Sequence, residues 1–225
     1  MRIGFHVSKK DMCWCHEFET KSAEARMAKE SKKDMCWCHE FETKSAEARM
    51  AKETEYLQHI RRKKVSENEK KTMITLEQNK NFISANFDLE AVLYTPLVFA
   101  KPVFYKRKLA SFNFTIYDVG KRNGYCFFWT ETEGNRGANE IATCLLQYLQ
   151  QLPSHVTHIS FFSDSCPGQN KNSIVAAMFQ YALEVTTGIE IIDLKFLEPG
   201  HTHMQCDSMH ATIEAASQHS KIYTK

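Results

Sequence analysis

The chain of 225 residues has no run of 18 apolar residues, which excludes an apolar helical membrane span. Its first 20 residues also lack the apolar stretch of a signal peptide. Without a secretory leader, the eight cysteines read as reduced thiols of an intracellular protein, not as a disulfide framework. Glycine-rich phosphate loops are missing, since neither GxGxxG nor GxxxxGK followed by Ser or Thr occurs. A G-x-S-x-G nucleophile elbow is missing too, which argues against a serine hydrolase of that type. The net charge of +2 is close to balance, so composition does not announce nucleic-acid binding. The charge is uneven, however: residues 1–80 hold 18 Lys/Arg against 14 Asp/Glu, and residues 81–225 hold 11 against 13.

Residues 8–30 and 31–53 are identical, which suggests a recent duplication or a gene-model error, two copies being too few for a solenoid. Each copy carries Cys-x-Cys-His (Cys13, Cys15, His16; Cys36, Cys38, His39), a tight spacing for a zinc finger. From Glu17 to Gln78 there is no Gly or Pro, and Ala, Glu, Lys, Met and Arg dominate, which predicts long solvated helices. Within them, Arg61-Arg62-Lys63-Lys64 fits a nuclear-localisation patch, a phosphate contact or a plain solvated helix face. Residues 1–80 are therefore read as an N-terminal charged helical extension, and residues 81–225 as the folded domain.

In that domain, apolar and β-branched runs predict strands at Asn81–Leu93, Phe104–Val119, Tyr125–Glu131, His158–Ser163 and Glu190–Leu197. The turn GKRNG (120–124) joins the second and third into a hairpin. Helical periodicity covers Ala138–Gln151, Asn172–Thr187 and Asp207–His219. The order β-β-β-α-β-α-β-α implies an α/β fold with a five-stranded mixed sheet and helices on its faces. Ligands collect at strand ends and helix starts in such sheets.

Four acids stand at such positions: Asp88 in a strand-like run, Glu140 in a first helical turn, Asp164 after a short strand, and Asp207 opening the last helix. Hard divalent cations want oxygen ligands, and two of them can clamp a phosphate under in-line attack. Asp164 and Asp207 also suit simple turn and cap roles. Gln169, Asn170, Lys171 and Asn172 are candidates for nucleic-acid contact at a helix start. His201, His203, Cys206 and His210 form a second constellation, for which Zn²⁺ is a weaker reading because the spacing matches no common zinc pattern. Cys166 and Cys206 read as structural thiols.

The element order resembles the ribonuclease H-like fold of ribonuclease H, retroviral integrases and transposases. Asn135-Arg136 before Glu140, Ser163-Asp164-Ser165, Gly200-His201 and Cys206-Asp207 each resemble strings of that fold. Over roughly Lys10 to Ser217, strings such as FDLEAVLYTP, SDSCPGQNKN and FLEPGHTHMQCDSMHATIE are similar to an uncharacterised domain family of animal genomes, whose repetitive copies suggest transposable elements. The resemblance implies a transposase- or integrase-like nuclease using two Mg²⁺ or Mn²⁺ ions on DNA or an RNA:DNA hybrid, in the nucleus. In that scheme Asp88 bridges both ions, Asp164 holds the one that activates the attacking group, and Glu140 and Asp207 complete the coordination. His201 shuttles a proton. Glu214, seven residues after Asp207, competes with it as the last acid, because integrases place a Glu on this helix. The rival expectation is an element-derived remnant that binds nucleic acid or protein without catalysis.

Overall fold

The computed structural model describes residues 41–42, 44–76, 79–97, 107–197, 204–218 and 220–222. The front cysteines, the first repeat copy, His201 and His203 lie outside them. Helix α1 (Ala46–Leu76) opens the described chain. Its Glu/Lys/Arg-rich sequence has no apolar stripe, so propensity rather than a buried face makes it a helix.

The domain is α/β around a mixed sheet of six strands: β1 (Phe82–Leu89), β2 (Leu93–Thr95), β3 (Leu109–Asp118), β4 (Asn123–Thr130), β5 (His158–Ser163) and β6 (Ile191–Phe196). Three helices complete it: α2 (Ala138–Gln150), α3 (Ser173–Val185) and α4 (Gln205–Gln218). β1 pairs antiparallel with β3 and parallel with β5, β5 pairs parallel with β6, and β4 lies on β3. The strand count differs from the five expected. The run Asn81–Leu93 stops pairing at Leu89, and a short β2 resumes against β3 after a break at residues 90–92. The register shifts by one residue across this break: Leu89 faces Phe114, whereas Leu93 faces Ser111. One extra residue on one strand is the signature of a bulge, which bends the strand and re-aims its side chains.

The period-2 alternation of β1 divides the molecule into two faces. Ile83, Ala85, Phe87 and Leu89 join the larger apolar cluster with Ile141, Leu145, Tyr148 and Leu149 of α2 and Val175, Met178, Phe179 and Ala182 of α3. Phe161 at its centre meets Phe87 at 5.7 Å and Phe179 at 5.4 Å between ring centroids. Burying aromatics of this size contributes roughly 2–3 kcal/mol each. Ser84, Asn86, Asp88 and Glu90 point the other way, where α4 lies over a smaller cluster of Tyr117, Phe162, Leu197, Met204, Cys206 and Met209. Gly124 of β4 permits the approach of α4, since a Cβ there would collide with Met209 Sδ. α1 is tied to the sheet through an ion pair between Glu69 and Lys195 of β6, 2.7 Å.

Candidate metal centre

β1 and β5 run parallel with Asn86 beside Phe162, so one pleat further on Asp88 and Asp164 stand at the same level, at the carboxyl ends of neighbouring strands. α4 is fastened over this point by Asn86. Its Nδ2 donates to Gln205 Oε1 at 2.6 Å, and its Oδ1 accepts from Cys206 Sγ at 2.9 Å and Cys206 N at 3.3 Å. Cys206 Sγ is also close to Asn86 O and Thr115 O, which makes it a structural thiol. The zinc constellation is thereby divided: Cys206 is engaged with β1 and β3, while His210, one turn on, joins the acids.

Asp88, Asp207 and His210 present ligand atoms that all lie within 4.8 Å of one another. Asp207 and His210 share a face of α4 at spacing i, i+3. Asp207 does serve as a cap, though not as the opening residue: α4 starts at Gln205, and Asp207 Oδ2 reaches back to accept from Met204 N at 2.8 Å. It keeps access to solvent. His210 is 8% exposed, and its Nε2 finds no hydrogen-bond partner among the described residues.

The electrostatics report the crowding. Burial, with the negative charges of Asp164 and Asp207, pushes the Asp88 carboxyl up to about 7, against a backbone hydrogen bond from Leu89 and the positive charge of Arg136. Burial also pushes Glu90 up to about 7, with Glu214 adding repulsion and Asn113 opposing it. Burial lowers His210 to about 4, so the imidazole is neutral near pH 7, the form that binds a metal.

Asp164 Oδ1 accepts from Cys166 N at 3.3 Å and from Asn170 Nδ2, so its loop is closed by its own side chain. Arg136, on the loop before α2, donates from Nη2 to Glu90 O at 3.1 Å. Glu90 is 1% exposed. Its Oε2 accepts from Asn113 Nδ2 at 2.7 Å, and its Oε1 has no hydrogen-bond partner among the described residues.

Several sequence-level assignments change here. Glu140 does not enter the group: its Oε1 accepts from Asn135 N at 2.8 Å, which turns the carboxylate back onto the loop that precedes its helix. Among the described residues, the charges acting on Asp88 are Asp164, Asp207 and Arg136, and Glu140 is not one of them. Glu214 lies two turns along α4, where its charge falls on Glu90, so Asp207 is the α4 acid at Asp88. Asn170 is fully buried and Asn172 caps α3, accepting from Ile174 N and Val175 N, so neither amide is presented for nucleic-acid contact. Lys171 sits over the Phe196 ring at 5.2 Å, and Gln169 lends its carbonyl to Asn172. Glu90, Asn113 and Arg136 join the site beyond the residues that the sequence pattern points to. Only the polar character of Glu90 and Asn113 inside apolar strands marked them in the sequence.

The family comparison falls on this same region. Residues 115–225 match the model of a domain of unknown function, DUF7869. The DUF7869 match takes in Asp164, Asp207, His210 and Glu214, while Asp88 and Glu90 precede it. No curated protein matches the chain. No helix among the described residues is long and apolar enough to cross a membrane.

Proposed function

We propose that the chain carries a divalent-cation-dependent phosphodiester-processing domain, transposase- or integrase-like, acting on DNA or an RNA:DNA hybrid. The observation that carries this reading is the convergence of Asp88, Asp164 and Asp207, from β1, the β5–α3 loop and α4, close enough that the charges of Asp164 and Asp207 add to burial in raising the Asp88 carboxyl to about 7. Like charges held together at this cost suit a site built for cations. The strand order β4-β3-β1-β5-β6, with β3 antiparallel and β5 and β6 parallel to the central β1, also supports the resemblance to ribonuclease H-like folds.

Asp88, Asp164 and Asp207 would hold Mg²⁺ or Mn²⁺. Bound there, one or two such ions supply Lewis-acid polarisation of a phosphate and a more acidic attacking water. The chain's own groups do the positioning. Asn170 and the Cys166 N–H fix the Asp164 carboxylate, Asn86 fixes the start of α4 and with it Asp207, and Arg136 places a positive charge where an anionic backbone would approach.

The test is cleavage or joining of labelled DNA duplex and RNA:DNA hybrid by the full chain with Mg²⁺ or Mn²⁺. Loss of roughly 100-fold or more is expected in Asp88→Asn and in Asp164→Asn. A folded wild type that is inert on every substrate with either ion overturns the nuclease reading. The second reading, a non-cleaving binding domain descended from such an enzyme, draws on Glu140, whose carboxylate is spent on its own loop. It expects cation and nucleic-acid binding without turnover.

A further inference from the structure

We propose that His210 supplies a nitrogen ligand, so that Asp88, Asp207 and His210 form a mixed oxygen–nitrogen centre preferring Mn²⁺, Co²⁺ or Zn²⁺ to Mg²⁺. The inference rests on reading this cluster as a cation site, not on the reaction assigned to it. An acidic cluster alone would not carry it, because exposed carboxylates gather without ions in many proteins. The further observation is the imidazole. His210 is 8% exposed, its Nε2 has no hydrogen-bond partner among the described residues, and one of its ring nitrogens lies within 4.8 Å of carboxylate oxygens of both Asp88 and Asp207.

Leaving a buried ring nitrogen unpaired forfeits the hydrogen bond it would make in water, so its presence calls for a ligand or a structural reason. The hydrophobic alternative is weak at this position, because a purely packing role would be met by Leu or Met without that cost. A cation fits the spacing. With ligand distances of about 2.0–2.2 Å, three donors around one ion stand roughly 3–4 Å apart, so a contraction of the group brings all three onto one cation. Two donors come from one face of α4 and one from β1, leaving open positions for water or a phosphate oxygen.

The donor set selects the metal. Mg²⁺ demands oxygen ligands in near-octahedral geometry and gives up water reluctantly. Imidazole suits Zn²⁺ and its first-row neighbours, and carboxylate suits Mn²⁺, so two carboxylates with one imidazole favour the transition-metal end of the series.

The test uses the full chain stripped of metal. Wild-type protein is loaded with Mn²⁺ and examined by pulsed electron paramagnetic resonance, while Mn²⁺, Co²⁺ and Mg²⁺ affinities are measured separately by calorimetry. Nitrogen hyperfine coupling to the bound Mn²⁺ is expected in the wild type. In His210→Gln the coupling should vanish, and Mn²⁺ affinity should fall by at least about tenfold while Mg²⁺ affinity holds. Circular dichroism melts confirm that the variant folds, and the wild-type spectrum stands without it. Mn²⁺ binding without nitrogen coupling, or an unchanged Mn²⁺-to-Mg²⁺ preference in His210→Gln, overturns the proposal. Nitrogen coupling in a protein that cleaves nothing removes the nuclease reading alone, whereas Mg²⁺-supported cleavage without coupling removes the His210 proposal alone. Failure of every cation to bind removes both.

Discussion

Asp88, half-buried near the end of β1, and Glu90, buried just past that end, both hold their protons to about pH 7. The metal-free protein therefore stores unfavourable electrostatics that its pH dependence should reveal. The unfolded chain ionises both acids above about pH 4.5, whereas the native chain keeps both protons until about pH 7, so stability is lost as pH rises through that range. His210 works in the opposite sense. Its pKa is lowered to about 4, so between pH 4 and 6.5 the unfolded chain binds a proton that the native chain does not. Two protons against one leaves a net loss of about 1.4 kcal/mol per pH unit below pH 6.5. The loss steepens just below pH 7, where the histidine no longer offsets the acids, and fades above pH 8. Solvent access at Asp88 reduces its share. Denaturant unfolding of the metal-free chain between pH 5 and 8 checks this, and Asp88→Asn should flatten the profile and be more stable than wild type at pH 7.5. Stability that rises from pH 6 to pH 7.5 would contradict the assignment.

At the scale of elements, the loop between β5 and α3 separates two asparagines that look alike in sequence. Asn172 caps α3, and Asn170 is buried with its amide on Asp164. Asn172→Ala should cost about 1 kcal/mol of stability with little change in cation affinity. Asn170→Ala should lower affinity on the order of 10- to 100-fold through the loosened Asp164 carboxylate. Chemical denaturation and calorimetry on the two variants separate these effects, and equal losses of affinity would refute the division. The same loop shows what was legible in the sequence. Helical periodicity places α2, α3 and α4, and an apolar run places β5, to within a few residues, because those patterns are local. The partners of the acids were not legible, because they depend on register between distant segments. Asn86 meets Cys206 across 120 positions, and that contact decides that Asp207 and His210, not Glu214, face Asp88. Glu140 stands in the expected first turn, and the nearby backbone N–H of Asn135 takes its carboxylate. In the β3–β4 turn the left-handed backbone falls on Arg122, at φ 51°, while Gly124 is needed for the close approach of Met209.

The molecule as a whole is unevenly held together. On one side of the sheet, α2 and α3 close over the larger apolar cluster of the described residues; on the other, α4 packs through Cys206 and Met209 into the smaller one, beside a seam of carboxylates. A helix docked by few apolar contacts over mutually repelling charges belongs to the part of the structure that opens most readily. Cations that bind only the native state should correct this imbalance locally. At 100 times its dissociation constant an ion contributes about 2.7 kcal/mol, which for a chain of this size is a rise of about 5–10 °C in Tm. Native-state hydrogen exchange on the full chain, with Mn²⁺ and with chelator, tests where that stability goes. Amides of residues 205–218 and of the end of β1 should gain protection with the ion, while those of 173–185 in α3 stay as they were. Uniform protection, or none in α4, would show that the cation does not bind between β1 and α4, and the carboxylate seam would then be only an electrostatic burden on the fold.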